Sequence, residues 1–465
     1  MPSRGLPRQR VAVIGSGMAG LVTAYLLRSD ASRFEVELFE RERFKQDKVS
    51  LDSASLTIPT DHGNFSKEHR VDLPMRAFAD GYYTYLRRMY DYFGVRYASP
   101  RFIYTLSSIP GVANTKMNPY FIHSSNNHRV PPLRPESLSL GFWLLELVYL
   151  AICYYWFTAC CFLIRPKTAE GTGREENFRQ YVERIKLPRY YVKNYLLPLL
   201  SSVTTCPHDM LLNFPAVDLV EYERKTFRQP HYTIVGGVRT IQESLTKGQK
   251  VRFLSTVTAV QNVGSNVRVT WRDEQSGHSS SALFDHVIMA VTPDVVGSIF
   301  LPLREAMGSV PTTKVPTVVH LDSIRLDDCN KSLRARISRD REGRASQPIH
   351  MCSNTNATES THEHPSSVLI TTSPIIPINP DKILHSVTFT RVLRTPESRH
   401  LLRHILDSQE VVYSTGKASS GWQNGNGNVW LVGGWCWDGM VMLEGCVFSA
   451  MRVAERLGVN VPWGN

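Results

Sequence analysis

Apolar positions in this chain recur with two periods, and the changeovers between them mark its elements. Arg10 to Ile14 is a short β-branched run and Leu21 to Arg28 has helix-forming composition, with Gly15, Ser16, Gly17, Met18, Ala19 and Gly20 directly between. That order predicts strand, tight turn and helix. A second strand is predicted over Glu35 to Phe39. Val71 to Gly94 carries aromatic and apolar residues at helical spacing and ends on a glycine suited to a C-cap, so it predicts a core-packing helix. Arg101 to Pro132 predicts short strands and loops, and Glu175 to Val203 helix with a polar face. His231 to Leu245 reads as strand, Gly236-Gly237 turn and helix, and Val251 to Trp271 alternates with the period of paired strands. Phe284 to Val296 is a buried strand broken at Pro293, after which strands and polar loops run to about residue 395, with a mobile stretch expected around Asp340 to Pro365. The last segment repeats the opening pattern: a strand at Val429 to Val432, Gly433-Gly434, then a helix from about Glu444 to Leu457.

Leu138 to Ile164 stands apart, with Glu146 as its one charge and none from 147 to 164. Its length approaches that of a bilayer-spanning helix. If the glycine loop before it and the glycine turn near the C-terminus belong to one unit, a single crossing would split that unit across a membrane. Two readings follow: a buried helix lining an apolar cavity, or a monotopic segment dipping into one leaflet, for which Arg165 and Lys167 are suitable flanks.

Composition changes this picture little. With 42% hydrophobic and 20% charged residues the chain has a globular balance. The net charge of +11 suits an acidic lipid surface, an anionic ligand or simple solubility, and without a Lys/Arg block nucleic acid is not expected. The eight cysteines form no CxxC pair and read as reduced thiols, which with no secretory signal pattern predicts an intracellular protein on the cytoplasmic side. No metal site is expected: His350 and Cys352 have no further ligands beside them, and His362 and His364 in "THEHP" read as solvated side chains of a polar loop.

The glycine loop carries the chemistry. Gly15 permits the turn, Gly17 lets backbone approach a pyrophosphate, and Gly20 lets the helix pack closely, while free N–H groups face the phosphates. Glu40 closes the second strand twenty residues past Gly20, where an acid accepts hydrogen bonds from the adenosine ribose. An acid there favours FAD or NAD over NADP.

Taken together, "VAVIGSGMAGLVTAYLL" with "EVELFE", "YYTYLRRMYDYFGV", "YVERIKLPRYYVKNYLLPLLSSVTTCP", "YTIVGGVRTIQESL", "FDHVIMAVTPDVV" and "VWLVGGWCWDGMVMLEG" resemble the FAD-dependent amine oxidoreductase superfamily, and within it a branch related to the N-terminal flavin domain of plant cyclopropane fatty acid synthases. The resemblance implies FAD, with Gly15, Ser16, Gly17, Met18, Ala19 and Gly20 at the pyrophosphate, Glu40 at the ribose, main chain of Val257 near adenine, and Gly433, Gly434, Glu444 and Gly445 near the far pyrophosphate, ribityl chain or flavin ring. Two departures stand out. The Gly-Gly pair that follows the ribose acid in the family is missing, with no glycine between Glu40 and Gly63, and "MLEGC" replaces a His-Glu-Asp-Gly type run.

The expected fold is α/β: a Rossmann-like FAD-binding domain with a parallel sheet, drawn from residues 1–75, 228–300 and 425–465, and a discontinuous α+β substrate domain with a mostly antiparallel sheet from 76–227 and 301–424. The expected function is oxidation of a hydrophobic small molecule, a modified fatty acyl chain, terpenoid or polyketide, by hydride transfer to flavin, with a membrane surface as a candidate partner. The alternatives are a membrane-associated, flavin-poor scaffold of the same fold, and an amine oxidase or secondary-metabolite desaturase. No catalytic side chain is singled out, because the flavin itself accepts the hydride.

Overall fold

The computed structural model describes residues 7–42, 49–60, 67–109, 117–124, 132–135, 138–168, 175–326, 346–406 and 421–464. Along the chain come β1 (Gln9–Ile14), α1 (Met18–Ser29), β2 (Phe34–Phe39), α2 (Thr84–Tyr92), β3 (Phe102–Ser108), β4 (Asn118–Ser124), α3 (Leu140–Leu163), α4 (Ala216–Thr226) and β5 (Lys250–Arg252). They are followed by β6 (Ser255–Val263), β7 (Asn266–Asp273), β8 (Ser279–Phe284), β9 (His286–Met289), β10 (Thr312–His320), β11 (Gln347–Ser353), β12 (Thr358–Glu363), β13 (Leu369–Thr372), β14 (Ile383–Val392), α5 (Pro396–Leu406), β15 (Val429–Leu431) and α6 (Leu443–Arg456).

The first sheet is parallel throughout, in the order β5-β2-β1-β9-β15. Its central strands are apolar on both faces, as a sheet covered on both sides requires: Val11, Ala12, Val13, Val287, Ile288 and Met289 are fully buried. α1 and α6 pack on one face, and the antiparallel sheet β6-β7-β8 with α5 lies on the other. Strands on both sides of α3 in the sequence therefore build one sheet, and a simple membrane crossing by α3 would divide it.

The second sheet has the order β14-β10-β13-β12-β11-β3-β4 and is antiparallel except where β11 runs alongside β3. Two expectations are corrected within it. His362 lies on β12 and is buried, and His364 is half-buried just beyond it against His69, because this stretch forms an interior strand of the sheet where a solvated loop was expected. The stretch expected to be mobile holds β11 and β12, although its first residues, 340–345, lie outside the described ones. So do residues 43–48 and 61–66, where the family's glycine pair is missing, and Cys329.

The helix expected over Val71 to Gly94 is much shorter. Ala77–Ala79 is a strand paired with His231–Ile234, and the helix starts only at Thr84. α3 shows a divided surface. Leu150, Cys153, Phe157, Cys160 and Cys161 recur at helical spacing and are buried, whereas Leu145, Val148, Ile152, Tyr155 and Leu163 on the other side are exposed. The fully buried cavity-lining reading does not hold for this helix: two thirds of its most apolar window is uncovered.

Candidate active site

The turn between β1 and α1 assigns a distinct role to each glycine. Gly15 has φ +99°, and a Cβ there would come within 2.7 Å of the Ala290 carbonyl oxygen. At Gly20 a Cβ would collide with the Gly15 carbonyl, so the helix can seat on the turn only without one. Gly17 is different: a Cβ there would meet no protein atom within 4 Å. Its φ is an ordinary −71° and it precedes the first helical turn of α1. Space is thus kept open where the orphan N–H groups of a helix start point, the setting an anionic pyrophosphate requires. Met18 and Ala19 are buried beneath it.

Glu40 is brought to the same turn. Its backbone N–H donates to Arg252 and its carbonyl accepts from Ser255, both at 2.9 Å, which fixes the end of β2 against β5 and β6. Its carboxylate accepts a short hydrogen bond from the Ser16 hydroxyl and another from the Glu42 amide at 3.1 Å. Ser16 is fully buried, and its Oγ accepts from the Ser50 amide at 2.8 Å while its carbonyl accepts from Leu51. The short 3-10 turn Ser50–Asp52 therefore lies against the glycine loop. Nothing in the sequence flagged this closure, since Ser50 follows the stretch where a glycine pair was missing. Val257 sits two residues beyond Ser255 in β6, so the period of a strand directs its N–H and C=O to the side from which Ser255 reaches Glu40. A bulge follows directly, between Val257 and Ala259.

The C-terminal turn is a packing device as much as a ligand surface. At Gly445 a Cβ would strike the Trp437 indole and come within 2.6 Å of the Gly434 carbonyl. Gly433 donates its N–H to Ser449 Oγ at 3.0 Å and, like Gly434, leaves no room for a side chain. Glu444 is turned away from this cleft. Its carboxylate accepts the amides of Tyr85 at 2.8 Å and Leu86 at 2.9 Å, so it caps α2 and decides where that helix begins. Burial pushes its carboxyl up to about 7, against the lowering effect of those amides.

Cys446, which sequence reasoning passed over, faces the amides of Ala19 and Gly434, between the two glycine turns. It is only partly covered, and burial pushes its thiol up to about 11. Around it stand Tyr83, whose hydroxyl donates to Met442 Sδ at 3.1 Å, and Tyr82, whose hydroxyl accepts from the Met440 amide at 2.9 Å. The tyrosines meet edge to face at 5.3 Å, and Tyr82 meets Trp437 at 5.9 Å. Cys436, by contrast, is buried with its thiol pushed well up, an inert position.

An open space over Gly17, a strand-end acid beside it and main-chain groups two residues past Ser255 form a cleft of the right order for a dinucleotide, and the residues present fit FAD. Two family models match: an NAD(P)-binding Rossmann-like domain over residues 13–93, and a flavin containing amine oxidoreductase over residues 182–373. The chain belongs to the FAD-dependent amine oxidoreductase superfamily. It is an FAD-dependent oxidoreductase by that membership. Among curated proteins no relative matches. Solved structures do match. A CLA-producing fatty acid isomerase from P. acnes is 12% identical with a TM-score of 0.59, over 96% of this chain and 98% of that one. An oxidoreductase from Methanosarcina mazei is 11% identical with a TM-score of 0.54, over 96% and 100%. An Exiguobacterium protein provisionally assigned as a protoporphyrinogen oxidase is 13% identical with a TM-score of 0.53, over 97% and 99%. At these identities the likeness speaks for the fold of this superfamily member, not for its substrate.

Proposed function

We propose that this superfamily member oxidises an apolar small molecule by hydride transfer and works against a membrane surface. One observation carries the reading: α3 leaves an apolar face exposed, while its buried side packs on α4, and α4 reaches the aromatic side chains beside the cleft. Thr158 on the buried side of α3 donates to Glu223 of α4 at 3.0 Å. The adjoining Tyr222 meets Tyr82 at 5.0 Å between ring centres, and Tyr82 in turn meets Trp437 above Gly445. The aromatic side chains between α3 and the start of α6 suit an apolar substrate. A fold of this kind can serve an acyl substrate, as it does in the fatty acid isomerase from P. acnes.

Bound FAD supplies an electron-pair acceptor at this cleft. The chain's own residues position and shield. Gly17 and the amides that open α1 would hold the pyrophosphate, Glu40 the ribose hydroxyls as its bond to Ser16 rearranges, and the Val257 main chain the adenine. Gly433, Gly434 and Gly445 would bring the start of α6 close, with Glu444 acting through α2. Tyr82, Tyr83 and Trp437 exclude water from the far end.

The first test is the absorption spectrum of the purified protein with identification of the cofactor released on denaturation. Flavin bands and free FAD support the reading, and a colourless protein that cannot be reconstituted opposes it. Anaerobic bleaching should then be faster with long-chain or terpenoid compounds than with small polar amines; a small polar amine as the only good substrate would overturn the substrate class. For the membrane, flotation with phosphatidylserine-containing vesicles should carry the protein upward, and full retention in the soluble fraction would remove that part of the proposal.

A further inference from the structure

Arg391 is a deep-lying cation without a counter-charge. The two-residue period of β14 puts Val387, Phe389 and Arg391 on one face, and the first two pack against a cluster containing Val319, Val368, Ile370 and Leu73. An apolar row thus ends in a guanidinium. Its Nη2 comes within 4.0 Å of Met442 Sδ at the start of α6, and it faces Tyr83, Cys206 and Cys446, none of them an acid at neutral pH. Among the described residues no carboxylate pairs with it. Nearby, Arg70 is matched with Asp52 and Asp72, Arg394 with Asp218 at 3.9 Å and Arg399 with Glu175 at 2.7 Å, while Arg76, which also faces Cys446, donates to the Leu51 carbonyl at 3.0 Å and has the Asp72 carboxylate in its field. Glu444, the acid of α6 near Tyr83, is committed to the amides of α2.

Arg391 is also only partly covered although it lies deep, and its burial lowers its guanidinium below the ordinary value. It stands beside Cys446, which is likewise only partly covered. Holding an unpaired charge there is costly unless an anion enters with the ligand. The flavin pyrophosphate has the amides at the start of α1 for that purpose, whereas Arg391 comes from the other sheet, behind Met442. The geometry points to Arg391 as the anchor of a carboxylate on the substrate, which makes the substrate class an apolar chain ending in an acid. A guanidinium fork suits this role because it meets both carboxylate oxygens at once.

This inference rests on the proposed oxidation of an apolar substrate, and the test separates the two. The probes are decanoate and decanol, titrated calorimetrically into the full-length FAD-loaded protein, its Arg391→Met and Arg391→Lys variants, and the same proteins stripped of FAD. Decanoate should bind at least tenfold more weakly to Arg391→Met than to the parent, decanol should bind both equally, and Arg391→Lys should recover most of the loss. The FAD content of Arg391→Met should be unchanged and its Tm equal or higher, since an unpaired buried charge has been removed; a merely structural arginine would lower Tm instead. Equal decanoate binding by Arg391→Met, or no preference of the parent for the acid over the alcohol, overturns the inference. Loss of FAD with decanoate binding intact does so too, and assigns Arg391 to the cofactor. A protein that takes up no FAD but binds decanoate through Arg391 would sink the oxidoreductase chemistry and leave the acid site standing.

Discussion

At the scale of single residues, the three loop glycines look alike in sequence and differ in what they do. Gly17→Val should fold, because its Cβ meets no protein atom and its φ is ordinary, but it should fill the opening meant for phosphate. The expected outcome is an apo-protein Tm within a few degrees of the parent and FAD occupancy reduced at least tenfold. Gly20→Val should instead lose more than about 3 kcal/mol of stability, because a side chain would enter the Gly15 carbonyl. Denaturant unfolding of the two apo-variants checks both, and a Gly17→Val protein that retains stoichiometric FAD would refute the pyrophosphate role. Glu444 offers a second test. Its carboxyl titrates near 7 in the folded chain and near 4.5 when exposed, so the folded state holds the extra proton between those values. Stability from this group is full below about 4.5 and is lost as pH rises toward 7 and beyond, by about 3 kcal/mol at most. The Tm of the parent relative to Glu444→Gln should therefore fall between pH 5 and 8, and a constant difference would show that the carboxylate stays ionised throughout. The glycine loop and Glu40 were legible because their spacing is local. The partners that define the surroundings of Glu40, Arg391 and Cys446 lie far off in sequence, with Ser16 24 positions from Glu40, Met442 51 from Arg391 and Ala19 several hundred from Cys446, separations that no short window of sequence reports.

Elements were legible where one period held and no distant group intervened. The run of large residues before Gly94 spelled a long helix, yet α2 starts only at Thr84, where the Glu444 carboxylate takes the amides of its first turn. A cap supplied from 359 positions downstream cannot be read from the helix it caps. α3 shows the converse. Its existence was plain from composition, but its apolar residues run all the way round, so hydrophobicity alone could not say which face the protein covers. Phe157 is buried against Phe178, and Phe157→Ala should cost about 3–5 kcal/mol in denaturant unfolding. Leu145→Glu with Ile152→Glu, both on the exposed face, should leave Tm within about 2 °C and abolish flotation with anionic vesicles. If the double variant still floats, the bilayer contact lies elsewhere on the molecule.

At the scale of the whole molecule, two sheets are each assembled from separated stretches of chain, and their interiors hold ionisable groups that only this assembly desolvates. β12 illustrates how that happens. "THEHP" has the composition of a solvated loop, but β11 and β13 flank it, and His362 ends with neither ring nitrogen hydrogen-bonded among the described residues. Burial, with His364 and His350 nearby, pushes its imidazole down to about 3 from 6.5. His364 is held down to about 4, and His208 and His286 are lowered as well. In each case the unfolded chain binds a proton more readily than the folded one. Their contribution to stability is therefore complete above about 6.5 and is lost as pH falls toward 3, the reverse of the slope set by Glu444. His362→Leu isolates one such group: it removes an unsatisfied buried ring as well as a site that must charge in acid. Its Tm should match or exceed the parent's at pH 7.5, and the margin should widen steadily down to pH 5. A margin that stays flat over that range would mean that the ring keeps a partner or reaches water in solution, and that the face of the second sheet around β12 is more open than its packing indicates.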